Sequence, residues 1–392
     1  MLGPENLRLL EEMIEQNYGN VPRSPAEIRD IAKTDAPILS TTTGYFNATF
    51  GASVFQQLNE SAVLFGLLPK FAYKRSGFRA QTTRFKNSGI GVAENAAVPD
   101  SVKPTMAQIT VGIKEQAITM EYSERQRLLA GTMDDVGFDV AQLLERAKQS
   151  FAYALDADMN VAMETLASNN IESIDRVCSS YAEITNCGET AGDADIYGLD
   201  RDAAATYADA YVSHNSNTAR ALSDKIVRSL VSNTTLAGAD PKTQVWYTGE
   251  DTYSNLCAMY GTQMRYVQPS DNPFRASTNP TQDGKGGGSN FGMEMATLYG
   301  RPIYVAPSDK VVKSGTSVIS NLYLLDIGYD AIYREPKLGV KVLQAPIIAE
   351  TTLANYPAHA KLGNEHVLYS AMELECKRFN IQGKARDLDV VA

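Results

Sequence analysis

Residues 134–168 form the longest stretch with an unbroken helical pattern, and no other feature of the sequence constrains the fold as strongly. Apolar side chains recur there at spacings near 3.6 residues, and neither Pro nor Gly occurs from Phe138 to Ser168. Asp134 and Asp135 stand at the start, where the free backbone N–H groups of a helix favour carboxylates. A helix of this length extends about 50 Å. The sequence therefore predicts a spine helix whose apolar stripe needs a sheet or a neighbouring subunit to cover it.

Composition and charge argue against several classes of function. The 392 residues include 36 Lys and Arg against 46 Asp and Glu, and the resulting net charge of −10 disfavours a free-standing nucleic-acid binder. No run of 18 apolar residues is present, and the first 16 residues carry frequent charges without an apolar signal region. We therefore expect neither a membrane location nor secretion.

Metal and nucleophilic chemistry have little material in this sequence. The histidines show no H-x-x-x-H pair and the cysteines no C-x-x-C spacing, so we expect reduced thiols, no metal site, no catalytic group and no cofactor. Two acidic pairs could instead hold a divalent cation through oxygen ligands, although a solvated acidic loop is the favoured interpretation. The residues concerned are His214, His359, His366, Cys178, Cys187, Cys257, Cys376, Asp193, Asp195, Asp200 and Asp202.

Two segments before the spine helix predict an extended arm. Residues 71–85 and 105–122 are typical of long strands, and the second alternates between apolar and polar side chains. The segment between them, 86–104, is too long for an ordinary hairpin turn. We therefore expect two strands that project from the body of the protein.

The remaining elements are mixed. The pattern predicts helices at 54–68, 203–211, 218–232 and 251–260, and strands at 243–248, 298–307, 320–327, 341–343 and 367–379. The strands at 298–307 and 320–327 are expected to be neighbours. Helices and strands do not alternate regularly, so the predicted fold class is α+β.

Charge is distributed unevenly between the arm and the helix. Residues 61–93 contain six basic side chains and no acidic one, whereas 134–166 contain seven acidic side chains against two basic ones. Both could be ordinary solvated faces. Alternatively, the arm of one subunit lies across the spine helix of the next, which would set register more than affinity. The candidate contact residues are Arg75, Arg79, Arg84, Lys86, Lys103, Asp139, Glu145, Asp156 and Glu164.

The order of these segments resembles the major capsid protein of tailed double-stranded DNA viruses, the Hong Kong 97 phage fold. The likeness is carried by ITVGIKEQAITMEYSERQRLLAG at 109–131 leading into the spine helix, by TLYGRPIYVAPSDK at 297–310 with ISNLYLLDIGYDAIYREP at 319–336, and by HVLYSAMELEC at 366–376. The resemblance covers most of residues 50–380. It divides the chain into an N-terminal arm (1–72), an extended loop (73–122), a peripheral domain with the spine helix (123–177), an axial domain (178–338) and a return to the peripheral domain (339–392).

The resemblance implies a structural protein without enzymatic activity. Such subunits assemble into hexamers and pentamers of an icosahedral head that encloses double-stranded DNA without sequence-specific binding. The implied partners are other copies of the chain, a portal protein, a separate scaffolding protein and possible cement or decoration proteins. The implied location is the virion, with assembly in the host cytoplasm. Two alternatives remain: an encapsulin-like protein nanocompartment of the same fold, and an acidic enzyme of unknown class.

Overall fold

The structure, a computed structural model, describes residues 62–83, 94, 103–123, 140–260, 297–331, 334–351 and 363–390. Internal contacts divide the chain into two compact units. The larger unit comprises Ser61–Glu115, Ala154–Leu343 and Ala371–Ala392, and the smaller one comprises Met1–Glu60, Gln116–Tyr153 and Gln344–Ser370. Helices and strands are both present, as expected for an α+β chain.

The predicted spine helix is present as α2, Val140–Met159, following a short helix α1 at Val63–Leu67. Its predicted start at residues 134–139 lies outside the described residues. The predicted continuation to Ser168 is wrong, because the helix ends at Met159 and a 3-10 turn follows at Met163–Thr165. Buried Asn160 explains this end. Its side-chain amide donates to the Asp156 carbonyl at 2.8 Å, and Tyr247 Oη donates to Asn160 Oδ1 at 2.7 Å.

Four segments before α2 are strands: β1 (Lys70–Ala72), β2 (Gly77–Gln81), β3 (Met106–Thr110) and β4 (Lys114–Ser123). Each of the two predicted long strands is thus divided in two, because its halves pair with different partners. Strand β1 runs parallel to β11 (Leu338–Thr351), whereas β2 pairs antiparallel with β3. A four-stranded sheet has the order β1-β11-β12-β4, in which β12 is Gly363–Cys376.

The larger unit contains a six-stranded sheet with order β5-β13-β10-β7-β9-β8. Its strands are β5 (Tyr211–Ser213), β7 (Gln244–Gly249), β8 (Thr297–Leu298), β9 (Arg301–Ala306), β10 (Leu322–Asp326) and β13 (Gly383–Ala385). Strand β7 is buried throughout and pairs parallel with β9 and antiparallel with β10. The expected pairing of the strands at 298–307 and 320–327 is therefore wrong, since β7 lies between them.

Helices α6 (Asp224–Leu236) and α7 (Glu250–Tyr260) pack on this sheet. Their apolar faces bury Ile226, Leu230 and Leu256 against Trp246 and Leu324. Spacings of three and four residues bring these side chains onto one face of each helix, which is why the sequence predicted both elements. A small parallel pair, β6 (Arg220–Ala221) with β14 (Leu388–Asp389), occupies part of the segment that was predicted to be helical from 218.

The predicted helix at 203–211 is wrong. Only Thr206–Ala208 forms a 3-10 turn, and β5 begins at Tyr211, whose N–H donates to the Gln382 carbonyl. Asp202 stabilises a turn at this point, because its carboxylate accepts the backbone N–H groups of Ala204 and Ala205 at 2.9 and 2.7 Å. The turn does not continue as a helix through residue 211, because Tyr211–Ser213 must be extended to pair with β13. The short helices α3 (Ile174–Val177), α4 (Tyr181–Cys187) and α5 (Ala191–Ala194) precede this segment.

Candidate intersubunit contact surface

Strands β2 and β3 form a hairpin ribbon, called here the hairpin and defined as residues 77–81 and 106–110. Its register pairs Arg79 with Gln108 and Phe78 with Ile109. Because side chains alternate across a strand, Phe78 and Ile109 share one face, on which Ile109 is buried. The opposite face is exposed and consists of Arg79, Gln81, Met106, Gln108 and Thr110. The hairpin therefore presents a mostly polar face to solvent.

Positive charge is concentrated on and beside this face. Segments 62–83 and 103–114 contain six basic residues and no acidic one. Arg79 and Lys103 are both exposed, and neither has an ion-pair partner among the residues that the structure describes. The structure therefore places two of the predicted contact residues where an acidic partner could reach them.

Arg75 instead pairs within its own chain. Its guanidinium lies 3.7 Å from Glu335 Oε1, and the Lys74 ammonium lies 3.6 Å from the same oxygen. Lys377 donates to Glu335 Oε2 at 2.5 Å, and this bond holds the pKa of the Glu335 carboxyl below its ordinary value, with further help from Arg75 and Lys74. Arg75 therefore contributes to the attachment of the hairpin, in addition to any contact with a neighbour.

The acidic side chains predicted to face the arm have different environments. Asp156 is fully buried, and its Oδ1 accepts the Phe65 N–H at 2.7 Å, so its carboxylate joins α2 to α1 inside one chain and is not available to a neighbour. Burial raises the pKa of Asp156, although the Phe65 N–H opposes this effect. The remaining predicted residues Arg84, Lys86 and Asp139 lie outside the described residues, and the Glu145 side chain does as well.

Glu164 is exposed but shares a hydrogen bond with Glu189. Partial burial of its carboxyl group is the main cause that raises the pKa of Glu164 to about 7, and the adjacent Glu189 and Asp175 add to it. Glu189 in turn pairs with Arg386 at 2.7 Å. Glu164 is thus the edge of a larger ionic cluster, which sequence reasoning missed.

That cluster, called here the ion core, consists of Asp175, Glu183, Lys384 and Arg386, all fully buried. Lys384 Nζ lies 3.0 Å from Asp175 Oδ1 and 2.8 Å from Glu183 Oε1, and Arg386 lies 2.5 Å from the same Glu183 oxygen. Burial would raise the pKa of Asp175, but the Lys384 ammonium outweighs it and holds that pKa below its ordinary value. The acidic stretch is therefore not simply a solvated loop. Lys384 and Arg386 stand two residues apart in the sequence, a spacing that places two side chains on one face of a strand. This spacing was the signal in the sequence from which a pair of neighbouring cations could have been predicted.

The described residues contain no group of three or more His, Cys, Asp or Glu side chains suited to a metal ion. Two of the four acidic residues considered for a cation bond to backbone N–H groups, since Asp195 accepts that of Arg201 at 3.0 Å and Asp202 that of Ala204 at 2.9 Å. All four cysteines are free thiols, and burial raises the pKa of Cys178 well above its ordinary value. Within the described part of the chain, no helix has the length and apolar character required to span a bilayer.

No family model matches the sequence, and neither does any curated protein. Solved structures, however, match almost the whole chain. The capsid asymmetric unit of cyanophage A-1(L) aligns with a TM-score of 0.60 at 12% identity, covering 86% of this chain and 95% of that one. The chain has the phage capsid fold. The capsid of the native GTA particle has a TM-score of 0.51 at 13% identity, covering 97% and 99%, and that of the empty particle has 0.52 at 14%, covering 92% and 100%.

The likeness confirms the fold that the order of segments predicted. At identities of 12–14%, the structural matches show the capsid fold alone. A fold does not by itself determine function, because proteins with one fold can carry different functional sites. Within the capsid fold, the hairpin falls in the segment predicted as the extended loop, and α2 is the predicted spine helix.

Proposed function

We propose that this chain is a major capsid protein that assembles into the icosahedral head of a tailed, phage-like particle enclosing double-stranded DNA. The observation that carries the proposal is the capsid fold, matched over 86% of this chain and 95% of a phage capsid subunit. Because the match covers most of both chains, it supports a complete shell subunit more strongly than a match limited to one shared module would. The work of such a subunit is assembly, with no catalytic step.

The hairpin supports a specific contact between copies. Its exposed face carries Arg79, with Lys103 close by in the sequence, and both lack acidic partners among the described residues. The acidic segment 134–166 of a neighbouring copy would supply Asp139 and Glu145, and Glu164 lies in the 3-10 turn that follows α2. Each exposed pair is worth only about 0.2–1 kcal/mol. Repeated around hexamers and pentamers, such pairs fix register and orientation.

The net charge of −10 suits a container for DNA. Tight phosphate binding requires many Lys and Arg contacts and is strongly salt-dependent. A shell of negative net charge retains DNA by enclosing it and not by binding its phosphate groups. We further propose that a portal protein, a separate scaffolding protein and decoration proteins are partners of this chain. In this proposal the chain assembles in the host cytoplasm and is finally located in the virion.

A density gradient of particles from cells that produce the chain tests this function. An antibody against the chain should detect it at high copy number in fractions that contain icosahedral shells by negative-stain microscopy and nuclease-protected DNA. Shells that contain an enzyme and no DNA would support the encapsulin-like alternative instead. A chain that remains in the low-mass soluble fraction would contradict both kinds of shell.

A further inference from the structure

The hairpin connects to the rest of the larger unit through two short segments, 73–76 and 111–113, called here the joint. The Val111 N–H donates to the Ser76 carbonyl at 2.7 Å, so the two segments lie side by side. Val111 is fully buried, whereas Gly112 is exposed and a Cβ there would meet nothing within 4 Å. The joint is therefore narrow. The Tyr73 N–H ties it to the Val342 carbonyl at 2.8 Å, the Val111 side chain is buried, and the chain is open to solvent at Gly112.

Glu335 binds on one side of the joint, and its two carboxylate oxygens have different partners. Oε2 accepts from Lys377, which also lies 4.7 Å from the centre of the Phe71 ring in β1. Oε1 faces Lys74 and Arg75 in the joint, at 3.6 and 3.7 Å. The side chains of Glu335 and Lys377 are each 16% exposed, whereas those of Lys74 and Arg75 are 67% and 65% exposed. One bond is thus sheltered from solvent, and the other two are open to it.

Lys114 holds the other side, at the point where the joint enters β4. Its ammonium donates to the Ser168 carbonyl. It also lies near enough to the carboxyl groups of Glu172 and Glu373 to oppose the rise that burial causes in the pKa of each. A single cation at this end of the joint thus bonds to a carbonyl of the same unit and acts on two acids of that unit through charge alone.

We propose that the joint is a hinge and that charge sets the resting direction of the hairpin. Glu335 acts on segment 73–76, and Lys114 acts at the end of segment 111–113. Exposed ion pairs are screened over a Debye length of about 8 Å at physiological salt. The contacts of Lys74 and Arg75 weaken as salt rises, while the sheltered bond between Lys377 and Glu335 persists. Salt therefore loosens the hairpin without detaching its anchor on the body.

The hinge gives the hairpin a range of directions relative to its unit. A shell built from hexamers and pentamers presents each subunit with neighbours at more than one angle, and this use of the hinge rests on the proposed function. The hinge itself is a property of one chain. If the experiment below detects no hinge, the proposed shell function still stands. If the chain forms no shell, the hinge can still be present.

Distances between spin labels test the hinge. One label replaces Gln81 on the hairpin and the other replaces Leu236, which is 82% exposed at the end of α6, in a Cys257→Ser background. Labelled chains are diluted into an excess of unlabelled full-length protein. We expect a single narrow distance distribution at low salt that broadens as salt rises. In Glu335→Gln the narrow distribution should be lost at every salt concentration, whereas the control Lys242→Gln, at an exposed lysine outside the hairpin and the joint, should behave as the parent protein.

Two further measurements keep the outcome decisive. A label pair on Leu236 and Val318, both exposed outside the hairpin, should remain unchanged in every variant and reports whether the unit is intact. If Glu335→Gln disturbs that pair, the double variant Lys74→Gln with Arg75→Gln replaces it, because those side chains are exposed. Lys114→Gln should broaden the hairpin distance in the same way. Variants that keep the narrow, salt-insensitive distribution of an immobile hairpin would overturn the proposal.

Discussion

At the scale of single residues, the interior of this protein contains buried charged side chains in addition to its apolar core. In the ion core, Lys384 contacts two carboxylates, and Arg386 shares one of them. Taking such charges out of water costs several kcal/mol per ion, and only mutual pairing with good geometry offsets this. The ion core therefore fixes which side chains must meet, more than it adds net stability.

Removing one member of the ion core should be costly. Lys384→Met leaves Asp175 and Glu183 with less compensation in a buried site, so we expect a loss of about 3–5 kcal/mol in the free energy of unfolding. Urea denaturation followed by circular dichroism measures this. Lys242→Met, at an exposed lysine, is the matched control and should change stability by less than about 0.5 kcal/mol. Equal midpoints for the two variants would contradict the role given to the ion core.

Glu373 should make stability depend on pH. Burial is the main cause that raises its pKa from 4.5 to about 8, and the neighbouring Glu172 adds to it. The folded state therefore binds this proton more tightly than the unfolded state does. The stabilising effect is complete below pH 4.5 and is lost as pH rises from there to about 8. Glu164, with a pKa of about 7, acts in the same direction.

Replacing Glu373 by Gln isolates this contribution. Gln cannot ionise, and its carbonyl oxygen can still accept the N–H groups of Glu172 and Leu374, which Glu373 Oε1 accepts at 2.7 and 2.9 Å. We expect the melting temperature of Glu373→Gln to fall less between pH 5 and pH 9 than that of the parent protein. The exposed Glu115→Gln is the control and should keep the parent slope. A variant with the parent's full pH dependence would show that Glu373 does not carry the proton.

At the scale of elements, the hairpin depends on a close approach between two backbones. A Cβ on Gly77 would lie 2.0 Å from the Ile109 carbonyl oxygen, a distance that no side chain can occupy. The pairing of Gly77 with Thr110 at the base of the hairpin therefore requires glycine. This is a steric requirement and does not arise from an unusual backbone dihedral.

Gly77→Ala should consequently open the base of the hairpin. We expect a destabilisation of about 1–3 kcal/mol, the usual range for overpacking. Faster hydrogen exchange is expected at the Val111 amide, which bonds to Ser76 at that base. Gly112→Ala is the matched control in the same region, because a Cβ there meets nothing within 4 Å. Similar exchange at Val111 in both variants would disprove the steric argument.

At the scale of the whole molecule, assembly should respond to charge on the hairpin. Arg79→Glu with Lys103→Glu reverses two exposed charges that have no acidic partner among the described residues, so the subunit should stay folded and soluble while shell formation is reduced. Sedimentation and negative-stain microscopy measure the yield of shells. A control with the same charge change, Lys225→Glu with Lys242→Glu, alters exposed lysines outside the hairpin. Shells at the parent yield from the hairpin variant would exclude the proposed contact.

The sequence by itself determined the presence and type of the elements that have strong periodicity. The apolar stripe predicted α2, the alternation through Ile109 predicted strand structure there, and a helix over Asp251–Tyr260 was found as α7, Glu250–Tyr260. These patterns are readable because a helix or strand face is set by neighbours within a few residues. The order of these elements along the chain also led to the capsid fold, which the solved structures confirm.

Only the tertiary structure decided where elements end, how strands are ordered and which charges are free. Asn160 ends α2 through a bond from Tyr247, 87 residues away, and β7 separates two strands that lie closer together in sequence. Arg75 and Asp156 look like surface charges in the sequence, yet one pairs with Glu335 and the other is buried against Phe65. The physical reason is that each outcome depends on a partner distant in sequence. Local patterns encode which face of an element is apolar, but not which partner that face or charge will meet.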